Sequence, residues 1–326
     1  MAVGGPSLAV MTRPFSARVV DPAWRHEVLG WLQAELVDLE ITGLEQTRIR
    51  PWSTQLRLET SEGRMWLKAN CPAQRFEPAL QVVLSELAPE SFDAPIAHDP
   101  GRGLMVTVDR GTPWGDQAEP GLDQWCELVT EAARVQQRLL TAGPTVSAVG
   151  LPDCSPGTVL GRFDRFVGLL SDLPEDHPSL LAVTQDVVDD SRRALERAVA
   201  TLERSVLPVT WQHGDLHPWN VFVVDGRPRL FDLGDSQWAH AVEILCVPYG
   251  WLTERSDVPW APVFAAYANA WDLTPADLAD DWRAAELTQA VNRVLTWWTC
   301  LTDASAEEWA EWGDAPLFHL QRALAR

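Results

Sequence analysis

One stretch of the chain concentrates carboxylate, amide and imidazole groups: His213-Gly214-Asp215-Leu216-His217-Pro218-Trp219-Asn220, followed by Phe231-Asp232-Leu233-Gly234-Asp235. Asp215 and Asn220 stand five residues apart, and Asp232 follows twelve residues later. Short runs between them (Val221 to Val224, Arg229 to Phe231) read as strands joined by the tight turn Asp225-Gly226. A hairpin of this kind brings three oxygen-bearing side chains to one rim of a small sheet. Asn220 and Asp232 are hard oxygen donors suited to Mg²⁺, an ion that keeps several waters and takes phosphate oxygens. Asp215 is then free to orient an acceptor hydroxyl and remove its proton. Phosphoryl transfer asks little more of a protein than positioning and charge neutralisation.

A second signal lies far upstream. Of 26 basic residues, 25 are arginine and one, Lys68, is lysine. Against an arginine background set by coding bias, a lone lysine marks a place that needs a compact point charge and not a planar fork. Lys68 falls in Arg64 to Ala69, the second arm of a hairpin whose first arm is Gln55 to Thr60 and whose turn is Ser61-Glu62-Gly63. A helix from Glu77 to Leu87 and a buried strand from Leu104 to Val108 follow. Ala23 to Val37 is an earlier helix, with Trp24, Val28, Trp31 and Leu32 on one side. Beyond Gly111 the pattern turns to long helices: Leu122 to Leu140, Gly157 to Leu170 and Val187 to Leu202. They are interrupted by the strand island that starts at Pro208 to Trp211. Thr274-Pro275-Ala276-Asp277 has the form of a helix start, with a Thr cap and Pro in the first turn.

The HGDxxxxN…DxGD pattern resembles the aminoglycoside phosphotransferase and choline kinase group, which shares the protein-kinase fold. The resemblance runs from about Arg48 to Gly250. It implies an α+β, bilobal fold. Residues 1–15 would be a tail, 16–111 an N-lobe of small antiparallel sheet plus helix gripping ATP, and 112–326 a larger, mainly helical C-lobe. Asp215 would be the catalytic base, and Asn220 and Asp232 the Mg²⁺ ligands. Lys68 would hold the α- and β-phosphates with Glu77 as its ion-pair partner, and Thr107, Val108 and Asp109 would form the hinge that meets adenine. Three departures from the protein-kinase pattern stand out: Gly214 in place of the HRD arginine, Leu233 in place of the DFG phenylalanine, and no glycine-rich loop. Pro51-Trp52-Ser53-Thr54-Gln55 occupies that last position, so Ser53 and Thr54 are the candidates to hold phosphate. No APE-like segment follows Gly234, which argues against a protein acceptor. The expected reaction moves the γ-phosphoryl group of ATP, with Mg²⁺, to a small-molecule hydroxyl. A non-catalytic nucleotide-binding protein and a protein-directed kinase are the alternatives.

Other residues admit two readings. His213 and His217 have the HxxxH spacing of a zinc helix, but Pro218 argues for a loop in which His213 is structural. Asp235 is either an acceptor-site acid or part of the loop's hydrogen bonding, and Glu243 reads as a packing residue. Five cysteines without CxxC spacing suit free thiols in a reducing cytoplasm. No apolar run spans a bilayer, and Met11 is an alternative start that would leave 1–10 untranslated. The net charge of −20 sits mostly beyond residue 111, where 32 acids face 15 bases, against 14 and 11 before it. Such a surface disfavours nucleic acid and anionic lipid. Trp251, Trp260, Trp271, Trp282, Trp297, Trp298, Trp309 and Trp312 crowd the last 76 residues, with 12 acids and 5 arginines. Acids beside indoles suit a cationic acceptor such as an aminoglycoside, another amino sugar, choline or ethanolamine. Homoserine and macrolides also fit a hydroxyl acceptor, and core packing is the plainer account of most of these tryptophans. Oligomeric state is not specified by any of these features.

Overall fold

Alternating apolar residues build the sheet that carries Lys68. The computed structural model describes residues 13–171 and 183–324. Two helices come first, α1 (Phe15–Val19) and α2 (Pro22–Glu35). Asp21 caps α2 by accepting the Ala23 N–H at 2.9 Å, and Pro22 fills a first-turn position where no N–H is needed. Most of the tail expected over 1–15, and Met11 with it, lies outside the described residues; Phe15 itself opens α1 and is buried.

The strands are β1 (Ile41–Ile49), β2 (Ser53–Thr60), β3 (Gly63–Asn70), β4 (Ala97–Asp99) and β5 (Leu104–Val108), with α3 (Glu77–Leu87) between β3 and β4. They form one antiparallel sheet in the order β1-β2-β3-β5-β4. Leu56 and Leu58 of β2, Leu67 of β3 and Val106 of β5 pack with Val28, Trp31 and Leu32 of α2. Lys68 therefore projects from the central strand, opposite Gln55 on one side and Met105 on the other. A slip of one residue would carry it to the α2 face, so the buried leucines fix where the ammonium points.

The remainder is mainly helical: α4 (Trp114–Gln117), α5 (Leu122–Arg138), α6 (Gly143–Ala148), α7 (Pro156–Leu170) and α8 (Gln185–Leu202). Four short strands follow: β6 (Val209–Gln212), β7 (Val221–Val224), β8 (Arg227–Leu230) and β9 (Gln237–His240). Then come α9 (Cys246–Arg255), α10 (Trp260–Ala270), α11 (Ala279–Leu301), α12 (Ala306–Trp312) and α13 (Asp314–Leu324). β7 and β8 form the expected hairpin, with Asp225 and Gly226 both at positive φ (52° and 74°). β6 pairs with β9 and not with that hairpin. Thr274 does not start a helix. Its backbone N–H and hydroxyl both reach the Asp277 carboxylate, at 2.8 and 2.7 Å, closing a turn, and α11 begins at Ala279. Among the described residues no helix is long and apolar enough to cross a membrane.

Candidate active site

The loop from His213 to Asn220 is shaped from beneath. His213 is fully buried; its Nε2 meets the Phe231 carbonyl at 3.0 Å and its Nδ1 accepts the Asp215 N–H at 3.3 Å. That pair of partners assigns a neutral ring with the proton on Nε2, and burial, the largest influence, holds its pKa below the ordinary histidine value. With both ring nitrogens engaged by the protein, His213 ties the loop to the end of β8. Asn220 Nδ2 donates to the Asp215 carbonyl at 2.9 Å and to its Oδ2 at 3.2 Å. His217 Nε2 lies 3.3 Å from the same Oδ2. Burial would raise the Asp215 pKa, but the His217 hydrogen bond and the nearby Arg293 guanidinium hold it well below the usual carboxylate range.

Gly214 explains why arginine is absent from this loop. Its φ is +80°, and a Cβ there would lie 1.9 Å from the Asp235 carbonyl oxygen. Both the conformation and the space demand glycine. Gly214→Ala is expected to cost about 4 kcal/mol or more, since backbone must move to admit the methyl group. A thermal melt beside a turnover assay checks it; an unshifted melt would contradict the close approach.

Asp232 follows β8 in the left-handed region, at φ 62° and ψ 66°. The Phe231 N–H donates to the Asn220 carbonyl at 3.1 Å, so Asn220 and Asp232 are neighbours at the base of the hairpin. Lys68 Nζ stands 2.6 Å from Asp232 Oδ1 and 2.6 Å from Glu77 Oε2. Glu77, wholly buried at the first turn of α3, also accepts the Leu233 N–H at 2.8 Å. Burial acts to discharge the Lys68 ammonium, yet the charges of Asp232 and Glu77 overcome it and raise its pKa. For Asp232 burial is likewise the largest influence and is outweighed, chiefly by Lys68, so its pKa falls. With the Asn220 amide nitrogen turned to Asp215, its carbonyl oxygen remains to join the Asp232 carboxylate on a metal. Two hard oxygens on adjacent backbone fit Mg²⁺, which fills its other positions with water and phosphate.

Three cavities run in series through this centre. The first, of about 220 Å³, is lined by Trp66, Lys68, Met105, Thr107, Val108 and Asp232 among others, with Phe222 and Phe231 stacked at 4.2 Å on its far side. The second, beside Trp52, Gln74, Asp235 and Trp297, contains both Asp232 and Asp215. The third lies among α9, α11 and α13 and contains Asp215 and Arg293. Thr107 and Val108 both line the first cavity. Asp109 turns aside: its N–H donates to the Arg64 carbonyl and its carboxylate accepts the Gly111 N–H.

The expectation for Ser53 and Thr54 needs correction. Thr54 alternates with Ser53 and shares a face with Leu56 and Leu58, and its hydroxyl is already paired with the Arg48 carbonyl at 2.7 Å and Gln46 Nε2 at 2.8 Å. Ser53 has the Lys68-facing register but is completely covered, its hydroxyl without a hydrogen-bond partner. Neither hydroxyl borders the cavities, whereas Gln55 does. Asp235 resolves toward the structural reading: it accepts from Gln74 Nε2 at 3.0 Å and lies 2.8 Å from Arg293 Nη1. Arg293 and Gln74 were missed by sequence reasoning. The signal for Arg293 was a lone arginine among Ala290, Val291, Val294 and Leu295, on a helix face that buries it. Trp297 borders the second cavity, while the adjacent Trp298 packs on Phe166 and Trp309.

Glu243 is a packing residue. Its carboxyl is enclosed by Thr288 Oγ1, Asn292 Nδ2 and Gln212 Nε2 at 2.7, 3.2 and 3.3 Å. Burial pushes its pKa up to about 7 despite those donors. A folded-state pKa above the ordinary 4.5 means stability that is full below that value and is lost as pH rises through about 7. Glu243→Gln keeps the shape without the charge. It is expected to remove a stability loss of about 3 kcal/mol across that window and to leave turnover intact. Denaturant melts at several pH values check this; a turnover loss would place Glu243 in the chemistry instead.

Residues 78–286 match the model of the phosphotransferase enzyme family. No protein of curated function matches the sequence itself. Among solved structures, a Plasmodium vivax ethanolamine kinase superposes with a TM-score of 0.63 at 10% identity, covering 87% of this chain and 83% of that one. A macrolide 2′-phosphotransferase type I gives 0.59 at 14% identity, covering 90% and 98%. The GDP complex of wild-type aminoglycoside 2′-phosphotransferase-IIIa gives 0.58 at 13%, covering 92% and 98%. At these identities the likeness is one of fold, the bilobal protein-kinase-like fold.

Proposed function

Because the chain belongs to the phosphotransferase enzyme family, and is a kinase acting on an alcohol group, we propose that it moves the γ-phosphoryl group of ATP to a hydroxyl of a small molecule. The observation that carries this is the meeting of Lys68 with both Glu77 and Asp232, residues drawn from β3, α3 and the end of β8, beside Asp215. In this reading residues 16–111 grip the nucleotide and 112–326 supply catalysis and the acceptor. Adenine lies in the first cavity, between the sheet and the Phe222–Phe231 pair, with Thr107 and Val108 at its edge. Lys68 takes the α- and β-phosphates, released in part from Asp232, while Glu77 keeps the ammonium aimed. Asn220 and Asp232 would hold Mg²⁺, which when bound neutralises phosphate charge. Asp215, ionised and fixed by Asn220 and His217, orients the acceptor hydroxyl and receives its proton. Free cysteines and the need for ATP suit a cytoplasmic setting.

The test joins binding to chemistry. Calorimetry should register ATP binding that strengthens with Mg²⁺, and GTP as a second arm reads base preference. A coupled ADP assay with a panel of hydroxyl compounds should then exceed the rate to water. Nucleotide binding with no product from any acceptor would favour the non-catalytic alternative.

A further inference from the structure

The third cavity carries charge opposite to that of its surroundings. Asp215 sits at its inner end, and its walls come from α9, α11 and α13. Of the five arginines beyond residue 250, three line it: Arg255, Arg293 and Arg322. Glu254 is the one other acid in its lining. Arg293 is nearly fully buried and is held beside Asp235. Among the described residues, Arg255 and Arg322 have no carboxylate within 4.0 Å; they rest on rings, Arg255 over Trp251 at 4.4 Å and Arg322 over Phe318 at 5.8 Å. The other acids beyond residue 250 are not in its lining.

The same cavity holds polar groups that the protein does not satisfy. Gln289, 2% exposed, has its Oε1 unpartnered, and Arg293, 4% exposed, has its Nε unpartnered. His319 Nδ1 is buried without a partner as well. Burial, with the charges of Arg293 and Arg322, pushes His319 down to about 3, so it stays neutral and leaves the guanidiniums as the local positive field. Buried polar atoms left unpaired are costly, and guanidinium forks match carboxylate and phosphate oxygens in pairs. The Trp251 ring, stacked on Trp219 at 4.7 Å and 5.0 Å from His217, makes the wall beneath Arg255 rigid and continuous with the catalytic loop.

We infer that the acceptor is a small hydroxylated anion, whose carboxylate or phosphate is held by Arg255 and Arg322 while its hydroxyl meets Asp215. This rests on the phosphotransfer reading above and replaces the cationic acceptor that the acidic composition suggested. Two guanidiniums with no carboxylate partner among the described residues repel an aminoglycoside or a quaternary amine, whatever the net charge of the molecule. The reaction forms a bond from the acceptor oxygen to the γ-phosphorus and breaks the bond to the β–γ bridging oxygen. ADP leaves with that oxygen, and the hydroxyl proton passes to Asp215 and on to solvent.

The experiment compares six-carbon polyols in anionic, neutral and cationic forms. D-gluconate, D-glucose 6-phosphate, D-glucose and D-glucosamine, with kanamycin and choline beside them, are offered with Mg²⁺-ATP and ADP release is followed. One of the two anions should be turned over at least about tenfold faster than the neutral and cationic compounds, and which one separates carboxylate from phosphate recognition. Arg255→Ala and Arg322→Ala should each raise KM for that anion about tenfold, with the affinity for ATP within about twofold of wild type. Arg255 is exposed, so its replacement keeps the test open if the Arg322 variant fails to fold. Preference for glucosamine, kanamycin, choline or glucose, anions no better than water, or a KM unmoved by both substitutions would each overturn the inference. Absence of ATP binding altogether would instead bring down the phosphotransfer reading beneath it.

Discussion

Asp215→Asn is expected to lower kcat by about 10³-fold, or more, while ATP affinity stays within about twofold of wild type. The amide preserves the size of the side chain and one acceptor atom, but it cannot take a proton or repel the wrong rotamer of the hydroxyl. ATP affinity is spared because Lys68, assigned to the phosphates, and Asp232, assigned to the metal, hold each other at 2.6 Å independently of Asp215. Calorimetry with ATP and a single-turnover measurement of product separate the two effects. The same geometry predicts the pH profile. Asp215 is held well below the usual carboxylate range, so no acid limb from this group should appear above about pH 4. Near-normal turnover in the asparagine variant would remove Asp215 from the proton's path.

The second large effect concerns Lys68, and it divides by substitution. Lys68→Met leaves Glu77, 0% exposed, without its counter-charge, and Asp232 without its nearest one. Removing one partner of a buried ion pair costs about 3–5 kcal/mol, so this variant should melt early as well as fail in turnover. Lys68→Arg retains charge and should fold more nearly as wild type. Its planar fork cannot keep one point 2.6 Å from two carboxylates that approach from α3 and from the end of β8. A loss of about 100-fold in kcat/KM for ATP is expected, with a modest change in Tm. Wild-type kinetics in the arginine variant would show that the site tolerates a guanidinium and would undo the argument from the lone lysine.

The parts of this site that could be read in the sequence are those where one short segment does the chemistry. The stretch from His213 to Asp235 encodes its own loop, its hairpin and the carboxylate that meets Lys68, and the sole lysine flagged its strand without help from distant contacts. Thr54 could have been read better. Strand alternation places it with Leu56 and Leu58, on the side that α2 covers, which leaves Gln55 for the cleft. β1 went unread because six of its nine positions are polar or glycine and mask its pairing, and β9 because four residues carry almost no period. Thr274 misled because a side chain that caps a helix can close a bare turn with the same hydrogen bonds. Arg293, Gln289 and Arg322 were illegible for a different reason. Their roles exist only where α9, α11 and α13 converge on Asp215, and composition pointed the other way, since most of the acids nearby in sequence face away from that convergence.

The cavities in series have one further consequence. Asp232 is shared by the first and second, and Asp215 by the second and third. In the phosphotransfer reading proposed above, each reactant would then have its own cavity, the two meeting at the pair of aspartates. Donor and recipient could then stand face to face without either departing first, and the phosphorus would never be parked on the protein along the way.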